Sequence, residues 1–528
     1  MQEEVVKKRP KGLIIGLVIA ALVVVGGSAS AFIFLNKSPK VEYLLAEATS
    51  AKQISDIFEG RYQNEMKWLE TQKKKPVEST LEISAEWNDP NVDYYMEEVQ
   101  SIVNNSMLSI RNVYDPVKKE IEVELGGEFG SMEVNAGKAH VTTEKLFLSL
   151  PFTDDVIQFN DEDFGRLMKE YDPSYEGQED LGLSRLFDYN FMSAEGLNTY
   201  IQEEYVEYFI KKLPEEAFTS EKEKISVFDK EVNAEKLSMK LSEEDVKKLM
   251  KDLFGKIRDD EKIKEILKDS LDEQTAMASM TGEEIPVELT EIIVLFEDGL
   301  NEAIEDVDTW SIPDGIESTI WQHSNSIVKR DFAMTMGEYE GEETSFVVNG
   351  TQLLEKENQQ WAYTITVNDL YYDEENTLEF TGDLAWDRQK SKDSMKISVD
   401  GDEIFYEGEE ELDGKERTFK RAFGYSDGYS SPKLIWTGTA THEKDSVKAN
   451  HAFTVSNEDW DENMYNLVVK QDSKVVKKVD MPGKSDKIVN IGDMSLVEIE
   501  QYIEEELMTK FEEWSFEFMG DLENELYD

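Results

Sequence analysis

Between residues 318 and 482 apolar side chains recur at every second position, and this pattern restricts the fold more than any other feature of the chain. Period two is the spacing of a strand with one face buried. Phe332-Ala333-Met334, Tyr363-Thr364-Ile365-Thr366-Val367, Met395-Lys396-Ile397-Ser398-Val399 and Ala452-Phe453-Thr454-Val455 carry it most clearly. Asn349-Gly350, Asp400-Gly401 and Asp413-Gly414 read as hairpin signals, because a type I′ turn needs positive φ at both central positions. About ten strands joined this way predict a meander of adjacent antiparallel strands. Ser495 to Met519 then has helical period, with Leu496, Ile499, Ile503, Leu507 and Phe511 on one face suited to covering a sheet.

Upstream the signals are mixed. Residues 40–75 read as one helix, with Leu44, Leu45, Ile54, Ile57, Phe58 and Leu69 at helical steps, ended by Lys73-Lys74-Lys75-Pro76. From 77 to 150 the period is two, as in Val77 to Ile83 and in Ile121 to Leu125 before Gly126-Gly127. From 152 to 310 helices are expected at Phe164 to Tyr171, Asn198 to Leu213 and Glu243 to Leu267, with a strand ending at Leu241. Ser242 reads as an N-cap, followed by Glu243, Glu244 and Asp245 in the first turn.

Ahead of all this lies Leu13 to Leu35, 23 uncharged residues between Lys11 and Lys37. A helix of that length, at about 1.5 Å per residue, crosses a hydrocarbon core of about 30 Å. Lys7, Lys8, Arg9 and Lys11 precede it, which places the N-terminus in the cytoplasm and the rest outside. Ala29-Ser30-Ala31 has the form of a signal-peptidase site, so cleavage after Ala31 is the alternative; Phe32 to Leu35 prolong the apolar run and favour an uncleaved anchor. The expected fold class is α+β, an N-terminal transmembrane helix followed by a large antiparallel meander sheet packed on helices. The expected segments are a cytoplasmic tail (1–12), the transmembrane helix (13–35), and a helical stalk or first helix of the body (36–75). A mixed strand and helix region (76–315) and the meander with its C-terminal amphipathic helix (316–528) complete them.

Charge and composition exclude several functions. A net charge of −58 repels phosphate backbones, which argues against nucleic-acid binding. The chain has no cysteine, so disulfides, thiolate catalysis and zinc-thiolate sites are absent. Its four histidines are His140, His323, His442 and His451, without an HExxH pair. His442 and His451 are placed to face each other across the hairpin at Lys444-Asp445, either as a metal or proton site or as two surface residues, the second being the expectation. Asp459, Asp461 and Asn463 begin like a calcium loop, but Met464 stands where the turn needs Gly and Lys470 where it needs a bidentate Glu. With 114 acids, spacing singles out no glycosidase-type carboxylate pair. There is no P-loop or GxGxxG motif. No catalytic, cofactor-binding or metal-ligating residue is therefore assigned, and no cofactor is expected. Trp310, Trp321, Trp361, Trp386, Trp436 and Trp460 gather in the C-terminal half, as core residues by default or as the lining of a groove for lipid, peptide or glycan.

The stretch Leu241 to Lys268, LSEEDVKKLMKDLFGKIRDDEKIKEILK, runs from a strand end into a Lys-rich helix with paired acids. With the anchor, the absent cysteine and the late meander, it resembles uncharacterised single-pass membrane-anchored extracytoplasmic proteins of Bacillus-type Gram-positive bacteria. The sheet wrapped on helices is similar to the half-barrels of lipoprotein-carrier proteins. These resemblances imply a cell-envelope location and supply no site residues. The expected function is binding of a ligand or partner by an acidic extracytoplasmic body, held to the membrane through the N-terminal helix; the alternative is a carboxylate-dependent envelope hydrolase.

Overall fold

The computed structural model describes residues 38–527 apart from 131, 176–178, 191–199, 269–291, 373, 458–459, 461, 463 and 484. The run Leu13–Leu35 lies outside the described residues. Among the described residues no helix is long and apolar enough to cross a membrane. The expected α+β layout behind one transmembrane helix, and with it the single-pass reading, is corrected to a β-dominated fold of twenty strands in mostly antiparallel sheet, with some helices. Part of the reason is local. The strand Phe218–Val227 alternates Glu and Lys, leaves most of its residues in water, and so shows no apolar period two in the sequence.

The chain opens with α1 (Pro39–Arg61), α2 (Gln63–Gln72), β1 (Val77–Trp87), α3 (Tyr94–Asn104), β2 (Met107–Asp115), β3 (Glu120–Phe129) and β4 (Met132–Thr142). It continues through β5 (Lys145–Ser149), β6 (Asp155–Asn160), α4 (Phe164–Tyr171), α5 (Glu207–Lys212), β7 (Phe218–Val227), β8 (Lys230–Leu241), α6 (Glu243–Arg258) and α7 (Ile292–Asp306). The meander follows as β9 (Ile316–His323), β10 (Ser326–Met336), β11 (Thr344–Leu354), β12 (Asn358–Asp369), β13 (Glu374–Trp386), β14 (Lys390–Val399) and β15 (Asp402–Asp413). Last come β16 (Glu416–Ser426), β17 (Lys433–His442), β18 (Ser446–Ser456), β19 (Tyr465–Val475), β20 (Lys487–Asn490), α8 (Leu496–Tyr502) and α9 (Met508–Tyr527). The described residues form two compact units, one of residues 38–61, 194–387 and 393–405, the other of 62–193, 388–392 and 406–527.

In the first unit β7 to β13 pair in sequence order, each antiparallel to the next. Helix α6 buries Val246, Leu249, Met250, Leu253 and Phe254, which recur at three- and four-residue steps. Its start is the expected capping box: Asp245 N donates to Ser242 Oγ at 3.2 Å, and Ser242 N donates to the Asp245 carboxylate at 3.1 Å. Val246, Leu249, Met250 and Phe254 share one cluster with Leu237, Leu241, Ile316, Ile320 and Ile327. Helix α1 turns an unexpected face inward. Ile54 and Phe58 are exposed, while Tyr43, Glu47 and Ser50 are buried. Glu47 pairs with Arg330 at 2.5 Å, Tyr43 Oη shares a 2.7 Å hydrogen bond with Ser318 Oγ, and Ile327 N donates to Ser50 Oγ at 2.9 Å.

Two hairpin signals fall at turns. Asp400 (φ 52°) and Gly401 (φ 96°) join β14 to β15, and Gly414 (φ 62°) lies between β15 and β16. Asn349-Gly350 does not: it sits inside β11, where the ring of Tyr363 covers Gly350 so closely that a Cβ there would lie 2.0 Å from Cδ1.

In the second unit the order is β16-β17-β18-β19-β1-β2-β3-β4-β5-β6, all antiparallel, with β20 added parallel to β6. The early strands and the late meander therefore meet at the β1–β19 pairing. The buried apolar cluster here is small, comprising Trp68, Val77 and Val447.

Candidate functional site: an apolar groove beside α3

Register alone builds the floor of the site. Phe423, Leu434 and Val455 lie opposite one another across β16, β17 and β18. One step inward on the same face come Arg421, Trp436, Phe453, Leu467 and Ala85. The next row runs Phe419, Gly438, His451, Val469, Ile83, Leu108, Gly127 and Val134. Where this face reaches α2 it is covered by Trp68. At its other end Phe423, Leu434 and Val455 are each 43% exposed.

At that open end α3 lies between β1 and β2 and packs on β1. Asn104 pins its C-terminus, accepting from Trp87 N at 2.6 Å and donating to Trp87 O at 3.1 Å, as a neighbouring strand would. Ser106 Oγ donates to Ile102 O at 2.7 Å and accepts from Gly130 N at 3.1 Å. A groove of about 490 Å³ results, lined by Ile83, Ala85, Leu108 and Leu467 from strands and by Ile102 and Val103 from α3. Gly127 is part of its wall because a Cβ there would lie 2.1 Å from Met107 O. A polar hollow of about 550 Å³ lies on the other face of the same strands, where Glu82, Ser84, Glu128 and Lys470 alternate with the groove residues.

Further along the same face a polar cluster fills the space that apolar packing leaves. Arg417 Nη1 donates to Glu410 at 2.6 Å, Arg421 Nε donates to it at 2.9 Å, and Arg417 Nε donates to Glu65 at 2.7 Å. The Arg421 guanidinium sits 4.6 Å from the Trp436 ring. Trp436 Nε1 donates to His451 Nδ1 at 3.1 Å, so His451 is neutral with its proton on Nε2. Burial, then the Arg421 charge, hold its pKa below the usual imidazole value.

The sequence matches no known protein family model, and no curated protein is similar to it. Among solved structures the chain aligns with the translocation pore of the P pilus usher PapC at 7% identity and a TM-score of 0.17, over 71% of this chain and 55% of that one. It aligns with OccAB2 of Acinetobacter baumannii at 6% identity and a TM-score of 0.24, covering 77% and 98% of the two chains. The match to OmpTΔL8, an outer membrane protein of Vibrio cholerae, has 6% identity and a TM-score of 0.17, covering 76% and 97%. The aligned part spans little more than half of the usher. Superpositions this poor carry no argument about fold or ligand.

The residues singled out by sequence scatter. His442 lies opposite Val447 and His451 opposite Gly438, four residues apart along β17, so the two do not meet. Burial lowers the His442 pKa, with Glu65 pulling it up and Arg417 down. His140 is buried 3.4 Å from Glu122, and burial again outweighs the carboxylate and keeps its pKa low. Asp459, Asp461 and Asn463 lie outside the described residues, and among the described residues no His, Asp or Glu group is arranged to hold a metal ion. Trp310 and Trp321 are core residues of the first unit, Trp436 belongs to the arginine cluster, and Trp460 is exposed. Although Trp436 stands on the same sheet face, none lines the 490 Å³ groove itself. Gly126-Gly127 was the one local signal for it.

Proposed function

We propose that this protein binds rather than catalyses, and that its second unit takes an apolar ligand in the groove between α3 and the adjoining strands, at a cell-envelope membrane. The observation that carries the reading is the groove itself: about 490 Å³ of apolar lining left open at the end of an otherwise covered sheet face. Buried carboxylates that hydrolysis would need are engaged elsewhere. Glu47 is held by Arg330, Glu122 by Arg111 at 2.5 Å, and Glu410 by Arg417 and Arg421. That weighs against the hydrolase alternative. The uncharged run 13–35 supports a membrane location and sets neither topology nor orientation. The resemblance to uncharacterised Bacillus-type envelope proteins belongs to the same proposal.

Titration with the neutral fluorophore Nile red tests the reading. The full chain should bind it, and Leu108→Glu should weaken binding about ten-fold or more, the cost of placing a charge in an apolar contact. Leu108 is 48% exposed, so the variant should keep its circular dichroism spectrum. Equal binding by the folded variant would falsify the groove as the site.

A further inference from the structure

We infer that the first unit meets a zwitterionic lipid surface with one end of its sheet, through the aromatic tips of two hairpin turns; the inference rests on the membrane location proposed above and is independent of the groove. Register sorts the turns of β7 to β13 into two ends. Met239 lies opposite both Phe218 and Ser318, Met334 opposite Ile316, Met336 opposite Thr344, and Thr344 opposite Asp369. The β10–β11 turn (337–343) and the β12–β13 turn (370–373) therefore share an end with the start of β7. The β7–β8, β9–β10 and β11–β12 turns lie at the other. At the first end Tyr339, Leu370, Tyr371 and Tyr372 are each half exposed or more. Tyr371 N and Tyr372 N both donate to Asp369 Oδ1 at 3.1 Å, which holds the turn, and the two rings meet edge to face at 4.8 Å. The turns at the other end, Phe228-Asp229, Ser324-Asn325 and Glu355-Lys356-Glu357, hold one large apolar residue, Phe228. Scattered exposed side chains need no explanation, but a group of tyrosines on the tips of one end suits a lipid–water interface, where the ring is apolar and the hydroxyl stays wet.

The path of the chain into the unit selects this occupant. Ser38 Oγ donates to Glu215 at 3.1 Å and Lys40 Nζ donates to Leu213 O at 2.7 Å, beside Glu215–Ala217, which lead into Phe218. Tyr43 packs its ring against Phe218, whereas Gln53, further along α1, donates to Leu354 O at the other end. Helix α1 thus starts at the tyrosine end. The uncharged run closes at Leu35, three residues before Ser38, and three residues reach at most about 11 Å. Lipid around that run is therefore close to the tyrosine tips. Charge then selects the lipid. Neither turn contains Lys or Arg, while Glu338, Glu340, Glu342 and Glu374 flank the tyrosines in sequence. The negative potential of an anionic surface repels such tips, and a zwitterionic surface does not.

The chain has no cysteine, so single cysteines carrying an environment-sensitive fluorophore test this on the full chain in phosphatidylcholine vesicles. Tyr339→Cys and Tyr371→Cys report the tyrosine end, Asp229→Cys and Lys356→Cys the other; all four positions are exposed, so labelling should leave the circular dichroism spectrum unchanged. Lipid carrying a nitroxide on its headgroup should quench the first two labels and leave the second two bright. Adding anionic phosphatidylglycerol should reduce that quenching, and Glu340→Gln with Glu342→Gln in the Tyr339→Cys chain should restore part of it. Equal quenching at both ends, with the chain on the vesicles, overturns the inference and leaves the membrane location standing. Quenching that grows with phosphatidylglycerol overturns the zwitterionic assignment. A blue shift at 339 and 371 that follows protein concentration, without quenching by lipid, reassigns the tips to contact between copies and overturns the lipid surface. A chain that does not float with the vesicles overturns the membrane location itself.

Discussion

The first unit covers its sheet with a large apolar cluster that runs from Tyr43 in α1 through α6 to Met336 in β10, beside a smaller one of Val227, Ala234, Trp321 and Val328. The second has a sheet of similar character, yet among the described residues its buried apolar cluster holds only Trp68, Val77 and Val447. Elsewhere its covered face relies on Glu410, Arg417, Arg421 and the ring of Trp436. Hydrophobic burial needs no partner geometry, so a helix laid on a sheet can seal it completely. Polar clusters need every group satisfied and tend to stop where the partners stop. The second unit therefore keeps an open end, and the groove lies there.

The largest effect should come from the polar contact under α1. Arg330→Met leaves Glu47 unpaired while only 3% exposed. Breaking a buried pair from one side costs about 3–5 kcal/mol, and removing both members with Glu47→Leu should recover most of it. In the second unit Arg421→Met still leaves Glu410 bonded to Arg417 Nη1 at 2.6 Å, and should cost clearly less. Urea unfolding followed by hydrogen exchange on peptides from each unit reads both. Equal costs would break the contrast between a singly and a doubly held carboxylate.

The meander was legible because its strands alternate cleanly and two of the three hairpin signals fall at real turns. Gly350 misled because a glycine under an aromatic ring looks, in sequence, like a glycine in a turn. The inward face of α1 does not show in the apolar pattern because Tyr43, Glu47 and Ser50 form a polar stripe, and apolar periodicity is blind to it. The groove was illegible for another reason. Ile83 and Leu108 meet through the local β1–β2 pairing, but Leu467 joins them only through the β1–β19 pairing, which joins residues nearly 400 positions apart.

A pH series sharpens the contrast next. His140, His442 and His451 all belong to the second unit, and burial lowers each pKa from 6.5. A depressed imidazole pKa means that the unfolded chain binds more protons in the window below 6.5. Their contribution is complete above that value and is lost as pH falls through the folded pKa values. Acidification from pH 7 towards about 5 should thus loosen exchange protection in the second unit before the first. Replacing the three histidines by glutamine should flatten the difference. A parallel decline in both units, with the histidines intact, would refute their role. Asp155 adds a later loss, below 3.8: burial raises its pKa, but hydrogen bonds from Lys487 and Lys510 outweigh that and lower it.

The smallest effect separates the units by what a helix is attached to. Both contain the same capping box, Ser242 with Asp245 at the start of α6 and Ser495 with Glu498 at the start of α8. Local chemistry predicts equal worth. The helices differ, because α6 buries five apolar side chains and α8 buries none. A cap contributes to global stability only as far as its helix must unravel with the rest. Ser242→Ala should therefore cost about 1 kcal/mol in the unfolding of the first unit. Ser495→Ala should cost less than about 0.5 kcal/mol globally and appear instead as faster exchange confined to the first turn of α8. If the two alanine variants destabilise their units equally, α8 is coupled to the second unit more tightly than its exposed side chains indicate.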